Sequence, residues 1–235
     1  MSPMTVVTPA TCPKCNGSGW IPLESDSLRV EACACQGDLR RRQRIAAARI
    51  PRRYFHCRLQ DFHDRGNVTL RNARQRLSDF VDEWGGRGLN VSGLLLTGPC
   101  GSGKTHLAVA ALLEIIQCDK GGRLLFANFQ DLIQEIHASF DDDNMPSKSE
   151  ILRPLIDADL LVLDELGSQK PSPFVNDVLY YLINSRYNGE RTTIFTTNFN
   201  DDLAERISER LRSRLYEMTA TVSLAGVADY RRTKI

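Results

Sequence analysis

A chain of 235 residues, 42% hydrophobic and 25% charged, can build one sizeable core with a small module beside it, and its composition excludes a disordered or fibrous protein. No apolar run reaches the roughly 18–20 residues a membrane-crossing helix needs, and the opening MSPMTVVTPATCPKC has neither a basic start nor a long apolar stretch, so a cytoplasmic protein without secretory leader or membrane partner is expected. The formal net charge of +1 hides an asymmetry, because eight arginines against one acid between Gly37 and Arg58 give that stretch +7 and leave −6 on the remainder.

In chain order, the first segment, to about Gln36, holds four of the seven cysteines. Cys12 and Cys15 are spaced C-x2-C, seventeen residues follow, and Cys33 and Cys35 close the pattern as C-x-C. In a cytosolic chain such a cluster binds metal sooner than it forms disulfides. Four thiolates at this spacing fit a structural zinc site, with a redox dithiol or unliganded thiols as alternatives; His56 is the nearest outside ligand. Without metal these residues have little reason to fold. The stretch DLRRRQRIAAARI, Asp38 to Ile50, suits a helix with Asp38 as N-cap and Pro51 as stop. Its arginines leave three readings open: a contact for single-stranded DNA, a protein docking surface, or a solvated face. Tyr54 and Phe55, which follow, read as linker residues packed on the core.

A second helix is expected over Val68–Trp84, with Leu70, Ala73, Leu77, Phe80, Val81 and Trp84 on one face and the pair Gly85-Gly86 ending it. Beyond it, short apolar runs at Gly93–Thr97, Arg123–Phe129, Asp159–Asp164, Thr192–Thr197 and Thr219–Leu224 alternate with helical patterns at Lys104–Cys118, Gln130–Ser139, Phe174–Tyr187 and Asp201–Tyr216. Strands alternating with helices predict a parallel sheet covered on both faces. Phe140–Glu150, FDDDNMPSKSE, reads as an exposed acidic loop.

The first of the apolar runs leads into Gly98-Pro99-Cys100-Gly101-Ser102-Gly103-Lys104-Thr105, which fits G-x-x-x-x-G-K-[ST] between a buried strand and a helix. The glycines let the backbone curl so that its N–H groups face phosphate oxygens; Lys104 would reach the β- and γ-phosphates and the Thr105 hydroxyl would ligate Mg2+. His106 closes this candidate contact set, and as isolated imidazoles it, His63 and His137 suggest nothing more. DLLVLDEL puts Asp164 and Glu165 at the carboxyl end of a strand, where ligands sit in open α/β sheets. Asp164 is the candidate for holding Mg2+, through water or directly, and Glu165 for polarising an attacking water. TTIFTTN ends in Asn198, a candidate to orient that water or touch the γ-phosphate. ISERLRSRLYEM carries Arg206, Arg210, Arg212 and Arg214, of which Arg210 and Arg214 share a helix face. An arginine supplied by a neighbour commonly neutralises the charge that develops on a γ-phosphate.

The order of phosphate loop, LLVLDE, TTN and ERLRSRL resembles an AAA+ ATPase of the initiator and helicase-loader branch. More narrowly, it resembles the DnaC/DnaI-type loaders of the bacterial replicative helicase and their relatives, the IstB-type transposition helpers. Family-like stretches run through most of the chain: RIPRRYFHCRLQDF, GSQKPSPFVNDVLYYLINSRYNGERTTIFTTNF and GVADYRR. The resemblance implies an α/β P-loop NTPase fold of AAA+ type, a three-layer parallel sheet with a small N-terminal zinc-binding module. The implied organisation is a zinc module over 1–36, a basic linker helix over 37–60, and an AAA+ domain with a minimal lid over 61–235. It also implies that Arg214, in SRL, is a finger on the neighbouring subunit's ATP, with Arg210 as a second arginine of that helix. Arg231, in DYR, would be a sensor arginine facing its own subunit's ATP, and Arg232 could substitute. The implied cofactors are ATP, Mg2+ and structural Zn2+. The implied partners are the replicative DNA helicase, single-stranded DNA and further copies of the chain, with ATP binding and hydrolysis controlling helicase loading. Two rivals stand beside this: an IstB-type transposition helper, which usually lacks the cysteine cluster, and a P-loop kinase or metabolic NTPase, which would turn over as a monomer without DNA.

Overall fold

The structure, a computed structural model, describes residues 12–23, 26–85, 92–140, 145–199 and 203–233. Contacts divide the chain into two units, Met1–Ala47 and Ala48–Ile235. Among the described residues no helix is long and apolar enough to cross a membrane.

In the first unit the chain turns after Cys15 through Asn16 and Gly17, both at positive φ. It then forms an antiparallel hairpin, β1 (Trp20–Leu23) and β2 (Asp26–Ala32), with Trp20 opposite Ala32. Sequence alone does not announce this hairpin, which occupies the spacer between the cysteine pairs. Helix α1 (Ala34–Ala47) follows at once. The helix expected over Asp38–Ile50 thus begins earlier, because the Gln36 N–H bonds the Cys33 carbonyl at 2.9 Å and Cys35 rides on the first turn. It also ends before Pro51, since Arg49 takes a left-handed φ of 56°.

The second unit is built on five parallel strands in the order β4-β5-β6-β3-β7. These are β3 (Gly93–Thr97), β4 (Leu124–Asn128), β5 (Leu160–Asp164), β6 (Thr192–Thr197) and β7 (Thr219–Ser223). Strands β3, β5 and β6 are buried along their whole length, which is why they read as continuous apolar or β-branched runs and not as alternating ones. Leu95, Leu161, Leu163 and Phe195 pack with apolar side chains of α4 (Phe129–Ala138), α5 (Lys148–Asp157), α6 (Pro173–Asn188) and α8 (Glu209–Met218). Alternate residues project to the opposite face, where α2 (Val68–Glu83) and α3 (Lys104–Gln117) pack on each other and on β5, β6 and β7.

Helix α5 was hidden behind the acidic loop reading. Ser147 opens it with a reciprocal capping box to Glu150, and Pro154, inside it, obscures the helical pattern. The helix expected over Asp201–Tyr216 is two: α7 (Leu203–Arg206), and α8, whose N-cap Ser208 accepts from the Leu211 N–H. Gly86, Asp141–Asp143 and Asp201 lie outside the described residues, as do the first eleven residues.

The floor of the sheet is tied by Arg186, a charged side chain of α6 that is 1% exposed. Its guanidinium donates to the carbonyls of Leu155, Ile156 and Ala158 at the end of α5, to the Thr192 carbonyl, and to Thr193 Oγ1. Burial pulls its pKa down to about 9, which leaves it protonated at neutral pH. One cation therefore satisfies the carbonyls at the end of α5, which have no partner within the helix, and fixes where β6 begins.

Candidate functional site

The carboxyl ends of β3, β5 and β6 open on a cleft of about 770 Å³, within the ordinary range for a ligand site. The phosphate loop lines it together with Glu165, Thr196 and Asn198. Loop residues Gly101 and Gly103 have φ of 73° and 99°, which only glycine adopts without strain. Space forbids a side chain there too: a Cβ on Gly101 would stand 1.7 Å from Asp229 Oδ1, and one on Gly103 2.8 Å from the Phe62 ring.

Lys104 is buried and folded back on its own loop, donating to the carbonyls of Gly98 and Pro99 at 2.8 Å each. Burial lowers its pKa, against the pull of Asp164 and Glu165. Asp164 Oδ1 accepts from Thr105 Oγ1 at 2.8 Å and from Thr196 Oγ1 at 2.6 Å. Burial raises the Asp164 pKa, opposed by these two hydroxyl donors. An octahedral Mg2+ with ligands at 2.0–2.1 Å brings adjacent ligand oxygens to about 2.9 Å. The Thr105–Asp164 separation matches that edge, so this pair fits the ion.

Glu165 leaves the strand in a left-handed conformation, φ 60°. Its N–H is held by Thr196 Oγ1 at 3.0 Å, and its carboxylate accepts from Asn128 Nδ2 at 3.2 Å. The Asn128 amide orientation is fixed because its Oδ1 caps α4, accepting from the Gln130 and Asp131 N–H groups. Thr196 and Asn128 were not singled out from the sequence. A polar residue ending an apolar strand, as Asn128 ends LLFAN, is the signal that could have found the latter.

Cys100, Ser102 and His106 also line the cleft. His106 is not isolated: its Nδ1 lies 3.4 Å from Cys57 Sγ, and Phe62 packs against its ring. Tyr54 lines the cleft as well as packing near Phe126, with ring centroids 6.4 Å apart. The C-terminal turn returns to the loop, for the Tyr230 N–H donates to the Gly101 carbonyl at 3.1 Å and Arg231 lines the cleft beside it. The Arg232 side chain lies outside the described residues. Arg214 does not line the cleft of its own chain. It lies on α8 over the rings of Tyr180 and Tyr187, at 5.0 and 5.6 Å, with Arg210 5.9 Å over Tyr180.

In the first unit, the sulfurs of Cys12, Cys15, Cys33 and Cys35 all lie within 4.8 Å of one another and are buried. Cys12 and Cys33 are 3.8 Å apart, Cys15 and Cys35 3.6 Å. Zinc–sulfur bonds of about 2.3 Å in a tetrahedron place sulfurs roughly 3.8 Å apart. The Gly19 N–H donates to Cys15 Sγ at 3.3 Å, a contact suited to a thiolate. The four side chains fit a zinc ion.

The family model for IstB-like ATP binding proteins matches residues 59–205. The replicative helicase loader DnaC of Escherichia coli K12 is 29% identical over 146 residues, which are 60% of this chain and 57% of that protein. DnaC of Buchnera aphidicola (subspecies Schizaphis graminum) is 24% identical over 198 residues, 80% and 77% of the two chains. This chain therefore spans little more than half the length of its Escherichia coli relative. Among solved structures, a crystal structure of the DnaC helicase loader aligns with a TM-score of 0.63 and 32% identity, covering 74% of this chain and 99% of that one. The structure of DnaI aligns at 0.64 with 24% identity over 74% and 94%, a likeness of fold.

Proposed function

The chain belongs to the IstB-like ATP-binding family, in its DnaC-type AAA+ branch, and from that membership we propose that it is an ATPase that loads a replicative DNA helicase onto single-stranded DNA. The observation that supports this most is the gathering of Lys104, Thr105, Glu165 and Asn198 around one cleft, with Asp164 bonded to Thr105 beneath them, while Arg214 stays outside. The backbone N–H groups of Gly101–Thr105 bind the phosphates, and Lys104 exchanges its two loop carbonyls for phosphate oxygens. Thr105 and Asp164 would hold Mg2+, which would supply positive charge against the phosphates. Glu165 takes a proton from the attacking water, and Asn128 holds that carboxylate until water and phosphate are both present. Asn198 orients the water, and Arg231 faces the phosphates of its own chain.

Arg214 completes the site of the neighbouring copy, so that hydrolysis depends on self-association and ATP acts as an assembly switch. The first unit, held by zinc, docks the helicase, and the arginines of residues 37–60 follow the phosphate backbone of the strand. The test is hydrolysis as a function of protein concentration, with and without single-stranded DNA, for the wild type and Arg214→Ala. Turnover should rise faster than linearly with concentration, and Arg214→Ala should lose DNA-stimulated turnover while binding ATP nearly as before. Full turnover by a dilute monomer would overturn the reading. Capture with the Glu165→Gln variant, which traps ATP, should retain a helicase; capture of a transposase instead would assign the chain to the IstB-type transposition helpers.

A further inference from the structure

We propose that Arg53 is a second arginine for the terminal phosphate, acting on the nucleotide bound to its own chain, with Tyr54 as its platform. The inference deepens the ATPase reading above and rests on it.

The path of the chain carries the proposal. After Ala48, whose carbonyl accepts from the Phe126 N–H of β4 at 2.8 Å, the backbone enters a short 3-10 turn, Arg52–Tyr54. Pro51 precedes that turn, and the bonds Tyr54 N–H to Pro51 O and Phe55 N–H to Arg52 O close it at 2.9 and 3.1 Å. The segment is next fastened at Cys57, whose Sγ lies 3.4 Å from Nδ1 of His106, the residue after Thr105 in α3. One end is therefore tied to β4 and the other to the helix that follows β3. Between those strands the sheet holds β5 and β6, whose carboxyl ends lead into Glu165 and Asn198. The turn between the two anchors packs on α3 and brings Arg53 and Tyr54 to the cleft into which those ends open. A triphosphate held by Gly98–Thr105 would place its last phosphate in this cleft, which Glu165 and Asn198 also line.

The side chains agree with this path. Arg53 and Tyr54 both line the cleft together with Lys104, Glu165 and Asn198. The Arg53 guanidinium stacks 4.7 Å above the Tyr54 ring, which limits its freedom without neutralising it. No ion pair of Arg53 occurs among the described residues. Arg231 also lines the cleft, next to the Tyr230–Gly101 contact. An unpaired guanidinium that lines the same cleft as Glu165 and Asn198 is chemically matched to phosphate oxygens, and the γ-phosphate is the one that those two residues would meet.

The test compares Arg53→Ala and Arg53→Lys with the wild type, using fluorescent ATP and ADP analogues in equilibrium titrations on the full chain with Mg2+. Losing one charge-assisted contact should weaken ATP about tenfold and ADP less than twofold, with Arg53→Lys recovering part of the loss. An equal loss for both nucleotides, or none for ATP, would overturn the proposal. Because Arg53 is exposed, a thermal melt should coincide with the wild type; a lowered melt with equal losses assigns Arg53 to structure. Mixing separates cis from trans. Lys104→Ala subunits carry an intact Arg53 but bind no ATP, so they should not restore hydrolysis to Arg53→Ala subunits, whereas they should restore it to Arg214→Ala subunits. Rescue of Arg53→Ala would show action in trans and sink the proposal. Failure to rescue Arg214→Ala would count against the assembly switch and leave the ATP-to-ADP comparison for Arg53 standing.

Discussion

Replacing Arg186 by Met keeps the hydrocarbon stem and removes every donor. Four carbonyls and one hydroxyl, all placed to accept from the guanidinium, then lose it inside the core. A hydrogen bond to a charged group is worth about 1.5–3 kcal/mol, so five would suggest a very large loss. Burying the cation itself costs several kcal/mol, however, and that cost disappears with it. Breaking buried charged contacts by deleting one partner usually costs about 3–5 kcal/mol, and we expect about 4 kcal/mol here. With a urea slope of about 2 kcal/mol/M for a domain of this size, the unfolding midpoint should fall by about 2 M. The chain has two tryptophans, Trp20, which is 49% exposed, and Trp84, which is 3% exposed. In a Trp20→Phe background the fluorescence of Trp84 reports the nucleotide-binding unit alone. Arg186→Lys, with three donors for five acceptors, should fall between. A loss below about 1 kcal/mol for Arg186→Met would refute the view that this cation holds α5 and β6 together.

The purified chain should carry about one zinc, released by a mercurial and counted with a colorimetric chelator, and Cys35→Ser should carry almost none; four freely titrating thiols in the folded wild type would exclude the metal site. Asp164→Asn should abolish the effect of Mg2+ on ATP affinity while still accepting from Thr105 and Thr196. For the wild type, a carboxyl whose pKa is raised in the fold binds its proton more tightly there than when unfolded, so nucleotide-free stability should fall as pH rises from about 4 through the raised value, and Mg2+ should bind more weakly as pH falls through it. The Asp164→Asn variant should lose this component of the pH dependence in thermal melts. Gly101→Ala should weaken ATP binding about tenfold, because left-handed strain of about 1–2 kcal/mol adds to the collision with Asp229. Adding Asp229→Ala should recover part of that loss, and no recovery would deny the contact.

How much could be read beforehand differs element by element. Strands β3 and β6 were delimited to the residue because buried parallel strands are apolar or β-branched throughout, and β4, β5 and β7 to within a residue or two. Helix α5 escaped because Pro154 and the polar start SKSE mask it, although the Ser147–Glu150 capping box was visible in the sequence. The break between α7 and α8 escaped because a continuous arginine pattern runs through it. At the site, motif spacing names the loop, Asp164, Glu165 and Asn198, since each lies next to a strand end. Asn128 and Thr196 also stand at strand ends, but no motif spacing marks them out, and Arg53 lies on no strand; the fold brings all three to the site, and one sequence does not contain that arrangement. The cysteine pairs were legible as a cluster, but the hairpin between them was not, because its residues alternate too weakly to mark two strands.

The backbone at Glu165 carries a consequence for the history of such proteins. An acidic residue held at φ 60° costs about 1–3 kcal/mol that glycine would avoid altogether and asparagine in part. If Glu165 is the proton acceptor proposed above, the fold sacrifices heat resistance to keep it where it is. A lineage freed from the need to split its nucleotide would be expected to drift toward Gly or Asn after the strand's aspartate and become hardier for it, so that a sturdy but catalytically silent cousin should betray itself at this single position.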